Sequence, residues 1–318
     1  MNQSSIFLKN LLFFAVLAVF LSSCADKKAL EPHEGFVEVT GGKIWYEVVG
    51  EGPNPPVLLL HGGPGSASFG FDPLREMGYE GPIIFWDQLG CGRSEALTDT
   101  TLMTLENFVD QTERLRRHLG LEDFVLYGHS WGTMLGIDYY LRYPEEVKAI
   151  IFSSPLFSTD RWIADADTLI ATLPDSVQQN IRHYESTGEY DHPDYLAATE
   201  LYYSKFVTRK ERPMVDRSHL KLSSGSEIYR YMWGPSEFNS TGTLKDFDRL
   251  DDLSAINVPT LLVCGEFDEA RPETIRFYSS LIPDSKVEII PDAAHSTLND
   301  NRDAMLTVIR EFLETVKN

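Results

Sequence analysis

The pentapeptide GHSWG at residues 128–132 constrains the fold of this chain more than any other stretch. An apolar run at 124–127 leads into it, and apolar residues at helical spacing follow it. A strand, a sharp turn and a helix in this order lift a serine hydroxyl clear of a sheet. Glycines two residues before and after the serine let the backbones cross closely. We therefore predict that Ser130 is a nucleophile at a helix N-terminus, whose amide dipoles face developing negative charge.

Short apolar runs alternate with helical patterns through much of the chain. Runs typical of buried strands occupy residues 56–60, 82–86, 147–152, 260–264 and 286–290. Helical patterns occupy residues 105–119, 273–281 and 302–316. Two further runs, 36–39 and 44–49, flank a turn and predict a β-hairpin. Strands that alternate with helices indicate an α/β fold with a mostly parallel sheet covered on both faces.

The strand runs stop between residues 156 and 248, where charged, aromatic and helix-favouring residues take over. This change predicts a mainly helical cap at 156–248, inserted into a core formed by 36–155 and 249–318. The acidic residues that give the chain a formal charge of -20 are spread along it, which argues against nucleic-acid binding.

The amino terminus has the pattern of an export signal. Residues 11–21 are continuously apolar, and this stretch is too short to span a bilayer, which needs about 20 residues. We expect residues 1–23 to be a secretory signal peptide. The sequence LSSC ending at Cys24 resembles the lipobox of bacterial lipoproteins, which implies acylation of Cys24, a tether at 24–35 and a membrane-anchored protein on the periplasmic or cell-surface side. An ordinary cleaved signal is the alternative.

The two remaining cysteines, Cys91 and Cys264, follow or end apolar runs. We predict free buried thiols there, with a disulfide as the alternative open to an exported protein. The sequence has no Cys/His cluster with metal-ligand spacing, so we predict neither a metal nor another cofactor. The oligomeric state is left open.

A serine hydroxyl needs an imidazole to take its proton and a carboxylate to orient that imidazole. Ligands of parallel sheets gather at the carboxyl ends of the strands. His295 follows the last predicted strand and Asp268 follows the strand before it; Glu266 and Glu269 are the alternatives for the carboxylate. The order serine, aspartate, histidine is that of the α/β-hydrolases.

A tetrahedral intermediate needs two backbone donors. We predict the amide of Trp131, just after the nucleophile, and that of Gly63 in the loop HGGPG at 61–65. A phosphate-binding loop is the rival interpretation of these glycines, but the Lys-Ser/Thr ending of such a loop is missing. We expect His61 to hydrogen-bond this loop and His129 to pack structurally.

Several independent motifs resemble the proline iminopeptidase family of α/β-hydrolase serine peptidases over residues 36–315. They are HGGPG at 61–65, DQLGCGRS at 87–94, GHSWG at 128–132, WGPSEF at 233–238 and TGTLK at 241–245. The likeness is closest to the branch that contains the tricorn-interacting aminopeptidase, which also has a non-arginine residue at the place of Leu89. The resemblance implies an α/β-hydrolase fold with a helical cap and a serine exopeptidase that removes one N-terminal residue, often proline, from short peptides.

An aminopeptidase must bind a free ammonium group, and a carboxylate near the pocket is the obvious partner. Glu237 matches the position that the family uses, and Glu200 resembles its second amine-binding glutamate; a solvated surface acid is the alternative for each. Trp131 and Trp233 are candidate pocket walls or ordinary core residues. An esterase or lactonase with the same triad, and a binding protein without catalysis, are the competing functions.

Overall fold

Ten strands lie within residues 30–316, the part of the chain that the computed structural model describes. They are β1 (His33–Val39), β2 (Gly42–Val49), β3 (Val57–Leu60), β4 (Ile83–Asp87), β5 (Cys91–Gly92), β6 (Phe124–His129), β7 (Val147–Ser153), β8 (Ser223–Ser224), β9 (Thr260–Gly265) and β10 (Ser285–Ile290). The predicted signal peptide and Cys24 lie outside the described residues.

Eight of these strands form one sheet in the order β1-β2-β4-β3-β6-β7-β9-β10. The pairs β1–β2 and β2–β4 are antiparallel, and all others in the sheet are parallel. The predicted hairpin and the mostly parallel sheet are therefore confirmed. The first strand begins at His33, so the predicted tether, 24–35, overlaps the sheet by three residues.

Nine α-helices accompany the strands in the described part of the chain. They are α1 (Leu105–Leu119), α2 (Trp131–Arg142), α3 (Thr159–Ile170), α4 (Asp175–Thr187), α5 (Pro193–Phe206), α6 (Ser226–Met232), α7 (Pro272–Leu281), α8 (Thr297–Asp300) and α9 (Arg302–Thr315). Local chemistry fixes their ends. In α1, Thr104 caps the amide of Asn107, and Gly120 ends the helix in the left-handed region at φ 63°. None of these helices is long and apolar enough to cross a bilayer.

The central strands β3 and β4 are buried along their whole length, as their apolar runs predict. One large core cluster joins the sheet to α9, with Leu59, Phe85 and Tyr127 packed with Met305 and Ile309. Burying such side chains contributes roughly 1.5–3 kcal/mol each. The two cysteines, Cys91 and Cys264, are free and buried, as predicted.

Helices α3 to α6 form the predicted helical insertion between β7 and β9. The insertion has a small apolar cluster of its own, which includes Ile181, Tyr195, Tyr202 and Phe238. A two-stranded antiparallel pair, β5 with β8, joins the insertion to the loop after β4. Residues from Glu31 onward pack as one unit, so the cap is a lobe of the core domain rather than a separate body.

Candidate active site

The turn at Ser130 has the strained geometry that the sequence predicts. Ser130 lies between β6 and α2 at φ 54° and ψ -124°, a region that non-glycine residues rarely adopt. The flanking glycines are required by close approach: a Cβ on Gly132 would collide with the Leu60 carbonyl oxygen, and one on Gly128 with the Gly132 carbonyl oxygen. The turn therefore holds the serine at the carboxyl end of the parallel strands.

Asp268 and His295 meet at the same end of the sheet. The Nδ1 of His295 donates to Oδ1 of Asp268 at 2.9 Å, and both side chains are buried. Asp268 also accepts hydrogen bonds from the hydroxyl of Ser154 (2.6 Å) and the amides of Gly265 (3.1 Å) and Ala270 (2.8 Å). The carboxylate is thereby fixed from several directions, and the Nε2 of His295 is the ring nitrogen left for a proton from serine.

Burial lowers the pKa of His295, but the charge and hydrogen bond of Asp268, together with the charge of Glu237, outweigh it and raise the pKa above its ordinary value. The His295 ring lies 4.8 Å from the ring of His129, the residue before Ser130. No hydrogen bond joins the Ser130 hydroxyl to His295 within residues 30–316. Such catalytic contacts are commonly long until substrate is bound.

Gln88 connects the two loops that carry the predicted oxyanion donors. Its amide donates to Nε2 of His61 (3.0 Å), and its side chain donates to the His61 carbonyl oxygen (3.2 Å) and accepts from Nε1 of Trp131 (2.9 Å). His61 is therefore protonated on Nδ1, which donates to the Gly62 carbonyl oxygen (3.0 Å). The expected role of His61 in holding the loop is confirmed, and burial lowers its pKa. Gln88 was not singled out from the sequence.

The two predicted oxyanion amides belong to Gly63 and Trp131. Trp131 is the first residue of α2, where an amide has no acceptor within the helix. Gly63 adopts φ 117°, and the Cβ that a side chain would add at Gly62 would lie 3.2 Å from Cβ of Ser130. The glycine loop is thus next to the nucleophile. Neither amide hydrogen has a hydrogen-bond acceptor in the described part of the chain.

The residue after Asp268 is the main site feature that the sequence did not predict. Glu269 is 1% exposed, and neither of its carboxylate oxygens accepts a hydrogen bond of standard geometry from the described residues. Its Oε1 lies 3.9 Å from Nδ1 of His295. Burial and then the negative charges of Glu237 and Asp268 raise the pKa of Glu269 well above its ordinary value. Of the three acids that the sequence offers as partner of the histidine, Asp268 is the one hydrogen-bonded to His295. Glu266 instead accepts from the Asp292 amide at 3.1 Å.

Glu237 comes from the cap and faces the same place. Its backbone amide donates to the Tyr203 hydroxyl at 3.1 Å, and its carbonyl oxygen accepts from Nε1 of Trp162 at 2.9 Å. Burial raises the pKa of Glu237, and the charge of His295 acts in the opposite direction. Glu237 and Glu269, from separate parts of the chain, therefore both lie near His295.

Tyrosine hydroxyl groups lie near these carboxylates. Those of Tyr202 and Tyr229 are buried and make no hydrogen bond of standard geometry within residues 30–316. After burial, the charge of Glu269 contributes most to the raised pKa of Tyr202, and the charge of Glu237 does so for Tyr229. Buried polar groups are costly unless they are hydrogen-bonded, so these hydroxyls and carboxylates are suited to a ligand that supplies donors and acceptors.

Glu200 does not join this cluster. It lies on an exposed position of α5, whereas Ala198 and Tyr202 of that helix are buried. The resemblance of Glu200 to a second amine-binding glutamate is thus not supported by its position. The helix turns that carboxylate toward solvent, and the second buried acid is Glu269 instead.

Trp131 belongs to the core, whereas Trp162 and Trp233 lie at the site. Trp131 is 1% exposed, packs edge-on against Phe108 and donates to Gln88, so it is a core residue and not a pocket wall. Trp162, which the sequence analysis did not select, lies edge-on to the His295 ring at a centroid distance of 5.6 Å and to Trp233 at 6.3 Å. Trp162 and Trp233 therefore form an aromatic wall beside the histidine.

Comparison with known proteins agrees with this geometry. A family model described as the alpha/beta hydrolase fold matches residues 55–301. The proline iminopeptidase of Heyndrickxia coagulans is 40% identical over 285 residues, which cover 89% of this chain and 99% of that protein. The chain belongs to the proline iminopeptidase family of α/β hydrolases.

The likeness extends to a second relative and to a solved structure. The proline iminopeptidase of Saccharolobus solfataricus is 34% identical, with 91% of this chain and 94% of that protein covered. The crystal structure of the Mycobacterium smegmatis proline iminopeptidase has a TM-score of 0.81 at 29% identity and covers 89% of this chain and 98% of that chain. The likeness spans core and cap together, so it includes both parts of the chain that contribute to the site.

Proposed function

We propose that this member of the family is a serine exopeptidase that releases the N-terminal residue, preferentially proline, from short peptides through an acyl-enzyme. The observation that carries the proposal is the buried pair Glu237 and Glu269 beside His295. Two buried carboxylates that have no lysine or arginine partner among the described residues match the ammonium group of a free peptide N-terminus. A substrate with a blocked amine would leave both charges unpaired, which is strong discrimination.

Acylation uses the groups at the strand ends. Nε2 of His295 takes the proton from the Ser130 hydroxyl, and the serine oxygen attacks the first carbonyl carbon. The amides of Gly63 and Trp131 donate to the resulting oxyanion. His295 then gives its proton to the leaving nitrogen, and the C–N bond breaks to leave a prolyl ester on Ser130. Asp268 holds the imidazole in the tautomer with Nδ1 protonated and stabilises the imidazolium.

Deacylation repeats these steps with water. His295 takes a proton from the water, whose oxygen attacks the ester carbonyl carbon, and then returns that proton to Ser130 as free proline leaves. Throughout both half-reactions the carboxylates bind the same ammonium. The secondary ammonium of an N-terminal proline has two N–H donors, one for each of Glu237 and Glu269, and its ring fits the aromatic wall of Trp162 and Trp233.

We also assign the chain to the branch that includes the tricorn-interacting aminopeptidase. The support is Leu89, a fully buried residue in the loop after β4 where that branch lacks an arginine. The Leu89 side chain is apolar and buried, and its backbone amide donates to Oε1 of Gln111 at 3.0 Å. If Leu89→Arg keeps full activity with all substrates, the residue at this position does not affect the reaction, and the assignment to this branch is rejected.

The decisive experiment compares proline p-nitroanilide with its N-acetyl form, the alanine and leucine p-nitroanilides, and p-nitrophenyl acetate. We expect cleavage of free-amine substrates with proline first, and a loss of about 10⁴-fold or more in kcat for Ser130→Ala. Cleavage of acetylated and free substrates at equal rates would reject the amine site. Turnover of the acetate alone would identify an esterase.

We further propose that Cys24 carries a lipid anchor that holds the protein on the periplasmic or cell-surface side of a bacterial membrane. Only residues 25–32 separate it from the first strand, a tether that reaches at most about 28 Å. Detergent-phase partitioning of the full chain tests this: the protein should enter the detergent phase, and Cys24→Ala should enter the aqueous phase. Aqueous partitioning of the unaltered chain would reject the anchor.

A further inference from the structure

A basic segment crosses from the cap to the core beside the catalytic histidine. Residues 207–222, which we name the basic strap, connect α5 to β8. The strap contains five lysine and arginine residues against two acids, in a chain whose formal charge is -20. Such a local reversal of sign creates a positive field at one place on an acidic protein.

The start of the strap is fastened to the loop that carries His295. The Ser296 amide donates to the Val207 carbonyl oxygen at 2.8 Å. The carboxylate of Asp300, 1% exposed, accepts from the amides of Arg209 (3.1 Å) and Lys210 (3.0 Å). The position of the strap is therefore set relative to the histidine and does not depend on surface contacts alone.

Most cations of the strap have a local partner. The Arg209 guanidinium lies 4.0 Å from the centroid of the Phe267 ring. Lys210 donates through Nζ to the Asp300 carbonyl oxygen, and Arg217 donates to Asp72 at 2.8 Å. These residues fix the strap in place and have their charge or their donors occupied.

Arg212 differs from them. Its Nη2 donates to two neutral hydroxyls, those of Ser296 (2.9 Å) and Thr208 (3.3 Å). No carboxylate of the described residues lies within ion-pair distance of it. Burial lowers the pKa of His129, and the positive charges of His295 and Arg212 lower it further. Arg212 is thus an uncompensated cation within electrostatic range of both histidines at the site.

We propose that Arg212 binds the C-terminal carboxylate of dipeptide and tripeptide substrates, which makes free short peptides the preferred substrate class. The inference rests on the proposed aminopeptidase function. Glu237 and Glu269 take the amine end of the substrate, and His295 must reach the leaving nitrogen, so the leaving residues pass the loop of His295 and Ser296. A residue spans about 3.5 Å of extended chain, which places the carboxylate of a short peptide within reach of Arg212, a strap side chain that donates to Ser296 of that loop.

The chemistry of the pair supports this assignment. A guanidinium offers parallel N–H donors that match the two oxygens of a carboxylate. The hydroxyls of Ser296 and Thr208 hold the guanidinium without neutralising it, so its charge remains available to a ligand. Together with the two glutamates, Arg212 gives the site opposite charges suited to the two ends of a zwitterionic peptide.

The test compares prolyl-alanine with prolyl-alaninamide, which differ in the C-terminal carboxylate. For the full chain we expect a kcat/KM ratio of acid to amide of about tenfold, carried by KM, as befits one charge-assisted contact. In Arg212→Gln the ratio should fall to near one, in Arg212→Glu the amide should become the better substrate, and Arg212→Lys should keep part of the preference. Arg217→Gln, which alters the strap without touching Ser296, is the matched control and should keep the ratio.

A ratio near one in the unaltered chain, or an unchanged ratio in Arg212→Gln, would overturn the proposal. Loss of the ratio in Arg217→Gln as well would assign the effect to strap position and reject a direct contact. Failure of the underlying aminopeptidase function looks different, because then neither dipeptide nor proline p-nitroanilide is cleaved by the unaltered chain.

Discussion

Asp268 and Glu269 are adjacent in sequence but differ in hydrogen bonding. Asp268 lies on the core side of the site and Glu269 on the cap side. Asp268 is surrounded by donors from the core: an imidazole, a hydroxyl and two amides. Glu269, the next residue, is equally buried but faces the cap, where its oxygens and the hydroxyls of Tyr202 and Tyr229 make no hydrogen bond of standard geometry in the described chain. Burial is the same at both positions, and hydrogen bonding is not.

The difference distinguishes a carboxylate that orients another side chain of the protein from a carboxylate that binds the substrate. A carboxylate that orients a histidine works best when its geometry is complete before substrate arrives. A carboxylate that binds an ammonium must keep its oxygens free, and the protein tolerates the cost until the ligand supplies the missing donors. Three predictions test this distinction.

The largest effect is expected at Asp268, the carboxylate whose hydrogen bonds are already made within the protein. Asp268→Asn removes the charge that fixes the Nδ1-protonated tautomer and stabilises the imidazolium, so kcat for proline p-nitroanilide should fall about 10⁴-fold. KM should change little because the amine site is intact. Steady-state kinetics of the purified variant measure both constants, and a loss confined to KM would place Asp268 on the binding side instead.

A smaller effect, on KM rather than on kcat, is expected at Glu269. Glu269→Gln removes half of the charge that the ammonium meets and should raise KM about 100-fold, as for a buried charge pair that loses one partner. Glu200→Gln is the matched control, with the same change on the solvent face of α5. If Glu200→Gln raises KM and Glu269→Gln does not, the sequence-based assignment of Glu200 is right after all.

The smallest effect concerns stability. Because the pKa of Glu269 is raised by folding, the native state binds this proton more tightly than the unfolded chain does. The wild-type free energy of unfolding therefore loses a contribution as pH rises from about 4.3, the ordinary glutamate value, toward the raised pKa. Glu269→Gln lacks this loss and should be more stable than wild type at pH 8 by about 1–3 kcal/mol, and closer to it at pH 4.

Urea unfolding at the two pH values measures this difference directly. An equal difference at both would mean that the buried group does not change its proton binding on folding. Lower stability of Glu269→Gln at pH 8 would show that the carboxylate is satisfied in the free protein.

Much of the fold could be predicted because its strands are buried on both faces. Such strands are continuous apolar runs, and the run at 82–86 appears in the structure as Ile83–Asp87. The predicted helix at 105–119 matches Leu105–Leu119, since its capping residues Thr104 and Gly120 are local signals. Asp268 and His295 could be found for a related reason: the carboxyl ends of parallel strands converge, so chain order implies proximity.

The binding half of the site could not be predicted in the same way. Glu269 and Glu200 are both acids in helix- or loop-forming stretches, and only the packing of cap on core separates the buried one from the exposed one. The link from Gln88 to His61 and Trp131 spans 27 and 43 residues of sequence, with no periodicity to reveal it. Side chains whose environment depends on distant segments leave little trace in local pattern.

The two ends of the basic strap are fixed while its middle is not enclosed. At one end Asp300 and Ser296 bind it, and at the other Ser223–Ser224 pairs with β5 and the Gly225 backbone contacts Gly65 of the glycine loop. Between them the Met214 side chain is fully exposed. Lengthening the strap between these anchors should cost little free energy, because the entropy of closing a loop grows slowly with its length. We expect a longer strap to move Arg212 and so alter which peptides are accepted, while the Ser130, Asp268 and His295 side chains stay in place.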